Sequence, residues 1–131
     1  MMAFIYEIQT GKLLDPTGAL IAIGYSGKGE HKNQPGATSL HNEGPIPAGT
    51  YRIGPPTDTV THGPFVLPLT PDPDNLMWGR AGFLMHGDSV TEPGTASEGC
   101  IIMPRMIREQ VAADLDHTLQ VVTQIAEVAV T

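Results

Sequence analysis

A mainly β domain with one short helix is the fold class this sequence predicts, and three observations carry it. The 131 residues include 15 glycines and 12 prolines, dispersed between short apolar stretches instead of gathered in one block, as turns between many short strands would place them. Those stretches alternate apolar and polar residues or are bounded by Gly, Pro, Asn or Asp. Only after Pro104 does the spacing change, to Ile107, Val111, Leu115 and Leu119 at every fourth position.

Taken in order, Phe4–Gln9 sets Phe4, Tyr6 and Ile8 against Ile5, Glu7 and Gln9, and Ala19–Tyr25 is a second apolar run. Asp15-Pro16-Thr17-Gly18 between them is turn chemistry, so the two runs are expected to pair as a hairpin. Further strands are predicted at Thr50–Ile53, Pro64–Leu69, Gly82–His86 and Cys100–Met103. A helix is predicted from Pro104, a residue well tolerated in a first helical turn. It should end near Asp114–His117, because Thr118–Thr123 has β-branched character and reads as a closing strand. Neither an internal repeat nor a linker divides the chain, so one domain, 1–131, is expected, long enough to enclose its own core.

Charge narrows the partners. Fourteen carboxylates against 7 basic residues leave a net charge of −7, which disfavours phosphate backbones and anionic lipid. No nucleic acid and no membrane insertion are therefore expected. The first dozen residues lack a basic stretch followed by an apolar core, and no run approaches the roughly 20 apolar residues that span a bilayer. The expectation is a soluble chain without a Sec-type signal. Cys100 is the single cysteine, so no disulfide can form within the chain.

Chemistry converges on Met85-His86-Gly87-Asp88 through Ala96-Ser97-Glu98-Gly99-Cys100-Ile101. A strand-like Phe83-Leu84-Met85 delivers His86 into a polar, glycine-containing stretch where an imidazole faces a cleft. Cys100 lies fourteen positions after His86, across a loop holding Pro93 and Gly94 that can return the thiol to the imidazole. Gly99 removes a side chain where a carbonyl substrate would approach and leaves backbone amides for a developing oxyanion. A free thiol is only a few per cent thiolate at neutral pH, so a neighbouring imidazole is the company it needs.

His86-Gly87, the intervening loop and Ser97-Glu98-Gly99-Cys100-Ile101 together resemble the signature of the YkuD-type L,D-transpeptidases. Gly44-Pro45-Ile46-Pro47-Ala48-Gly49-Thr50-Tyr51-Arg52-Ile53 is similar to the proline-glycine segment that enters a strand in that family. The short length and the Ser-Glu-Gly-Cys-Ile variant look most like the small branch that includes type VI secretion effectors. With the strand pattern, the resemblance implies a curved sheet or small β-barrel with the helix after the cysteine strand.

The resemblance also implies an activity: cysteine-dependent acyl transfer on peptidoglycan stem peptides, needing no cofactor and no metal. Cys100 would be the nucleophile, His86 its base, and the amides of Gly99 and Cys100 the oxyanion donors. Ser97 would orient the turn or hydrogen-bond the His86 ring, and a backbone carbonyl, not Asp88, would steer the imidazole. Two departures stand out: Glu98 where many members have a second histidine, and Ile102 where an arginine commonly follows. Arg105 or Arg108 could supply the missing charge toward a substrate carboxylate. Pro71–Asn75 with Leu76–Arg80 could form a lid, Trp78 covering the cleft and Arg80 meeting a carboxylate, or else a surface loop whose tryptophan plugs the core.

The implied setting is an antibacterial effector leaving its producer by a non-Sec route, acting in the periplasm of a target bacterium and paired with a cognate immunity protein. Two rivals remain: a zinc hydrolase built on His86, Asp88 and Cys100, with or without His117, and a cell-wall or partner-binding module in which Cys100 is structural. His31, His41 and His62 lie in polar stretches without paired-ligand spacing and are expected to face solvent.

Overall fold

A computed structural model describes residues 3–125. Ten strands and one α-helix follow one another as β1 (Phe4–Glu7), β2 (Lys12–Leu14), β3 (Leu20–Ile23), β4 (Tyr25–Ser26), β5 (Gly49–Ile53), β6 (Thr57–Thr59), β7 (Gly63–Pro71), β8 (Leu84–His86), β9 (Ile101–Ile102), α1 (Arg105–Ala113) and β10 (Thr118–Val122). The strand order is β3-β2-β1-β10-β5-β7-β8-β9-β4, with β6 hairpinned onto β7. The mainly β expectation holds.

The two ends of that order are the two halves of one run, β3 and β4, parted only at Gly24. A sheet whose first and last strands are joined by a single residue must curl back on itself, and the result is a nearly closed barrel. Gly24 is the seam. Its amide donates to the Gly11 carbonyl at 2.8 Å. A Cβ on Gly24 would lie 1.9 Å from the Ile102 carbonyl oxygen, and one on Gly11 1.9 Å from the Gly24 carbonyl. Backbone meets backbone there, so only glycine fits.

The predicted hairpin changes in detail. The sequence pairs Phe4–Gln9 with Ala19–Tyr25, whereas Lys12–Leu14 forms a further strand between them, with Ile5 opposite Leu14 and Lys12 opposite Ile23. Asp15 makes the turn by accepting from the amides of Thr17 and Ala19 at 2.9 and 3.0 Å. Lys12–Leu14 is too short to show a period, which is why pattern alone passes over it. Thr57–Thr59 escapes for the same reason.

β10 closes the fold as expected from Thr118–Thr123. It pairs in parallel with β1, Phe4 opposite Leu119 and Tyr6 opposite Val121, and antiparallel with β5, Leu119 opposite Tyr51. Period two then sends Phe4, Tyr6, Tyr51, Ile53, Leu119 and Val121 into the barrel, where they meet Leu13, Leu67, Met85 and Ile101. α1 packs outside the barrel on β7 and β8. Val111 is fully buried there, worth about 1.5–3 kcal/mol on a transfer scale. The predicted apolar stripe breaks after it: Leu115 is 98% exposed, and Leu119 belongs to β10.

Candidate active site

β8 and β9 run parallel, Met85 opposite Ile101 and His86 opposite Ile102. Met85 and Ile101 face the core, so alternation turns His86, and Cys100 at the entry to β9, to the other face. There the two sit diagonally and both line a cleft of about 800 Å³. The volume is within the range of small-ligand sites. Tertiary pairing thus unites two residues fourteen positions apart in the chain.

His86 is 3% exposed. Its Nδ1 lies 2.8 Å from the Gly87 carbonyl oxygen. A carbonyl only accepts, so Nδ1 carries the hydrogen and Nε2 is left as the basic nitrogen. Burial pushes the imidazole pKa below 6.5, with His62 and Arg108 adding to the fall while the Gly87 carbonyl and Asp88 oppose it. At neutral pH the ring is an uncharged base. The Cys100 thiol is pushed up, first by burial and then by Glu98, against a backbone hydrogen bond from Leu84 and the charge of Arg80. It is therefore a protonated thiol at neutral pH. Among the described residues no hydrogen bond joins the thiol to the ring, a looseness common in sites without substrate.

Ser97 orders the turn. Its Oγ donates to the Cys100 carbonyl at 2.6 Å and accepts from the amides of Gly27 and Gly99 at 2.9 and 3.1 Å. The alternative, a bond to the His86 ring, is not formed. The Gly99 carbonyl in turn accepts from Ser26 Oγ at 2.9 Å. This network corrects one expectation: the Gly99 amide is given to Ser97, so of the two amides foreseen at an oxyanion only that of Cys100 lies outside it. Gly99 itself has φ +141°, and a Cβ there would fall 2.5 Å from Arg80 Nη2.

Asp88 does not steer the imidazole. Its carboxylate accepts from Tyr25 Oη at 2.5 Å and from the amides of Ser89 and Gly94 at 2.8 and 3.1 Å. Burial pushes this carboxyl up, but those bonds and nearby Lys32 outweigh it and hold the pKa below its ordinary value. Tyr25 Oη also accepts from the Ala96 amide at 2.9 Å, so Asp88 and Tyr25 latch the loop between His86 and Cys100 onto β4.

The arginines separate. Arg105 is on the outer face of α1, 3.1 Å from Glu109 with its guanidinium 4.7 Å over the Phe65 ring, and does not line the cleft. Arg108 is buried, donating through Nη1 to the Pro64 and Phe65 carbonyls, and its Nη2 lies 3.1 Å from where a Gly87 Cβ would be. It braces the His86-Gly87 turn from behind. Arg80 lines the cleft, but its Nη1 donates to the Thr38 and Pro45 carbonyls and its Nη2 to those of Gly44 and Glu98.

The foreseen lid is not one. Asn75 accepts from the Thr50 amide and donates to the Thr50 carbonyl, which ties the segment to β5. Trp78, at φ 59°, is 46% exposed, so it plugs no core, and it is absent from the cleft wall. Two residues passed over in the sequence do line the cleft: His41, whose Nε2 lies 2.7 Å from the Trp78 carbonyl, and His62, whose ring is 4.7 Å from that of His86. Both are exposed, as polar stretches imply, but no spacing could reveal a contact between the β6–β7 turn and β8.

Among the described residues no three His, Cys, Asp or Glu side chains converge as metal ligands. His117 lines a different cavity, beside Arg52 and Asp116. No helix among them is long and apolar enough to cross a membrane.

A nearly closed β-barrel with a cysteine and a histidine facing one cleft is the class of protein these features define. The family model of the Tlde1 domain matches residues 21–126. The chain belongs to that family, one of type VI secretion effectors. No curated protein and no solved structure matches it.

Proposed function

We propose that this effector is a cysteine-dependent acyl transferase of peptidoglycan stem peptides, an L,D-carboxypeptidase or L,D-transpeptidase acting at the bond between diaminopimelate and the terminal D-alanine. The single observation that carries it is the placement of Cys100 and His86 on one face of the parallel β8–β9 pair, both opening into the same cleft, with His86 Nδ1 held by the Gly87 carbonyl and Nε2 free to act.

Cys100 Sγ attacks the carbonyl carbon of the third stem residue while His86 Nε2 takes the thiol proton. The Cys100 amide donates to the oxyanion. The C–N bond then breaks, the D-alanine amine leaves with the proton from His86, and a thioester remains on Cys100. Water, a D-amino acid or a neighbouring stem amine resolves it, giving hydrolysis, exchange or a cross-link. Because both partners rest uncharged, the proton moves only as the sulfur attacks.

Membership of a type VI effector family supports a target outside the producing cell, and stem peptides place that target in the recipient's periplasm. A cognate immunity protein in the producer is the corresponding partner. Tetrapeptide muropeptides incubated with the protein, with and without a D-amino acid, provide the test by mass spectrometry. Loss or exchange of D-alanine is expected, falling by at least about a thousandfold in a folded Cys100→Ala variant, since the covalent step disappears with the sulfur. Unchanged turnover in that variant would abandon the thioester.

A further inference from the structure

Arg80 is 7% exposed, yet among the described residues no carboxylate lies within ion-pair distance of it. A buried guanidinium without a counterion is costly unless dipoles replace water around it. Here four backbone carbonyls do so: Thr38 at 2.6 Å, Pro45 at 2.8 Å, Gly44 at 2.8 Å and Glu98 at 3.2 Å. The Phe83 ring lies 5.1 Å beneath it. Three of the carbonyls belong to the chain before β5 and the fourth to the turn that carries Cys100. The fork therefore staples the two together. Its Nη2 is also 2.5 Å from where a side chain on Gly99 would begin, so the glycine is what admits the charge to the back of that turn.

We propose that Arg80 is the positioning residue of this site: it clamps the Glu98-Gly99-Cys100 turn and sets a fixed positive charge behind it that favours the thiolate form of Cys100. This role deepens, and rests on, the acyl-transfer reading of Cys100. With four of its five N–H donors on carbonyls, Arg80 is held in place against the turn that carries the nucleophile. The other charged group acting on the thiol is Glu98, whose side chain is exposed and 3.9 Å from Lys28. His86 and Asp88 share the cleft, the latter with its carboxylate tied to Tyr25. Arg80 is the one buried fixed cation among these. As Cys100 loses its proton, the negative sulfur gains a permanent partner that costs no reorganisation.

The test reads the thiol directly, through the rate of Cys100 alkylation by iodoacetamide against pH in Arg80→Gln and Arg80→Lys, alongside their thermal unfolding. Both variants lose part of the clamp, but only the first loses the charge. The thiol midpoint should rise by about one pH unit in folded Arg80→Gln, slowing alkylation about tenfold below it, and stay near wild type in Arg80→Lys. An unmoved midpoint in Arg80→Gln, or an equal rise in both, overturns the electrostatic role. If Arg80→Gln does not fold, Gly99→Ala, whose Cβ displaces the fork, is titrated instead: a rise supports the role and no rise overturns it. Alkylation needs no muropeptide, so a thiol that responds to Arg80 in a protein that leaves stem peptides intact would sink the substrate assignment and spare this one.

Discussion

At the scale of single residues Cys100 and His86 are two uncharged groups lining one cleft. Burial holds the His86 pKa below 6.5 and lifts the Cys100 thiol above 9.0, so between those limits the base is free and the thiol keeps its proton. The sign follows for each limb. As pH falls through the depressed imidazole pKa, His86 is protonated and kcat/KM should drop; as pH rises through the raised thiol pKa, the proton His86 would take is already gone. A plateau spanning neutral pH is expected in a muropeptide assay, with the acidic limb centred below 6.5. Cys100 alkylation should stay slow across that plateau and rise only above it. Fast alkylation with a midpoint near 6 would reveal a thiolate–imidazolium pair and refute the neutral one. That Cys100 and His86 share one cleft was legible because glycine, serine and histidine types at that spacing are chemically informative. Arg80 could be singled out but not given its role, since which carbonyls surround it is decided by segments dozens of residues away.

At the scale of elements, the loop between β8 and β9 is held by side chains and not by regular structure. Tyr25 Oη links the Asp88 carboxylate to the Ala96 amide, and Lys32 lies 4.4 Å over the Tyr25 ring. Tyr25→Phe removes one donor and one acceptor at a half-buried position, with a cost of about 1–2 kcal/mol. Faster hydrogen exchange at the amides of Gly94 and Ala96, with slower muropeptide turnover, is the expected outcome; exchange unchanged at both would show that the latch is idle. α1 offers a contrast. Period four in the sequence enrols Leu115 in a buried stripe, but the helix ends at Ala113 and Leu115 is left in solvent. Leu115→Lys should therefore change stability by less than about 0.5 kcal/mol in a urea titration, whereas a buried stripe residue would cost several times that. The stripe misled because periodicity reports spacing and not the point at which the backbone turns into β10.

At the scale of the whole molecule, closure rests on Gly24. A methyl group there would meet the Ile102 carbonyl on one strand end while the Gly24 carbonyl is already against Gly11. Gly24→Ala must push backbone from backbone and open the β4–β9 edge, a loss of about 3 kcal/mol or more that should appear as a Tm lowered by about 10 °C or more. A Tm within 2–3 °C of wild type, roughly the shift of a neutral change, would show that the barrel does not depend on this seam. Because β9 carries Cys100 at its entry, activity should fall with it. Much of this molecule was determined by the sequence alone: the β-rich class, most strand positions, the helix after Pro104, the closing strand at Thr118, and the return of Cys100 to the cleft that His86 lines. Each depends on local pattern, turn chemistry or residue type, which a linear reading contains. Only the tertiary structure decided that Gly24 divides one strand into the two ends of a barrel, that Asp88 turns to Tyr25, that Asn75 braces β5, that His62 meets His86, and that Arg80 reaches the Glu98-Gly99 turn before Cys100. Those are contacts between segments far apart in the chain, set by how the sheet curls, and no spacing along the sequence encodes which carbonyl or which ring will be opposite.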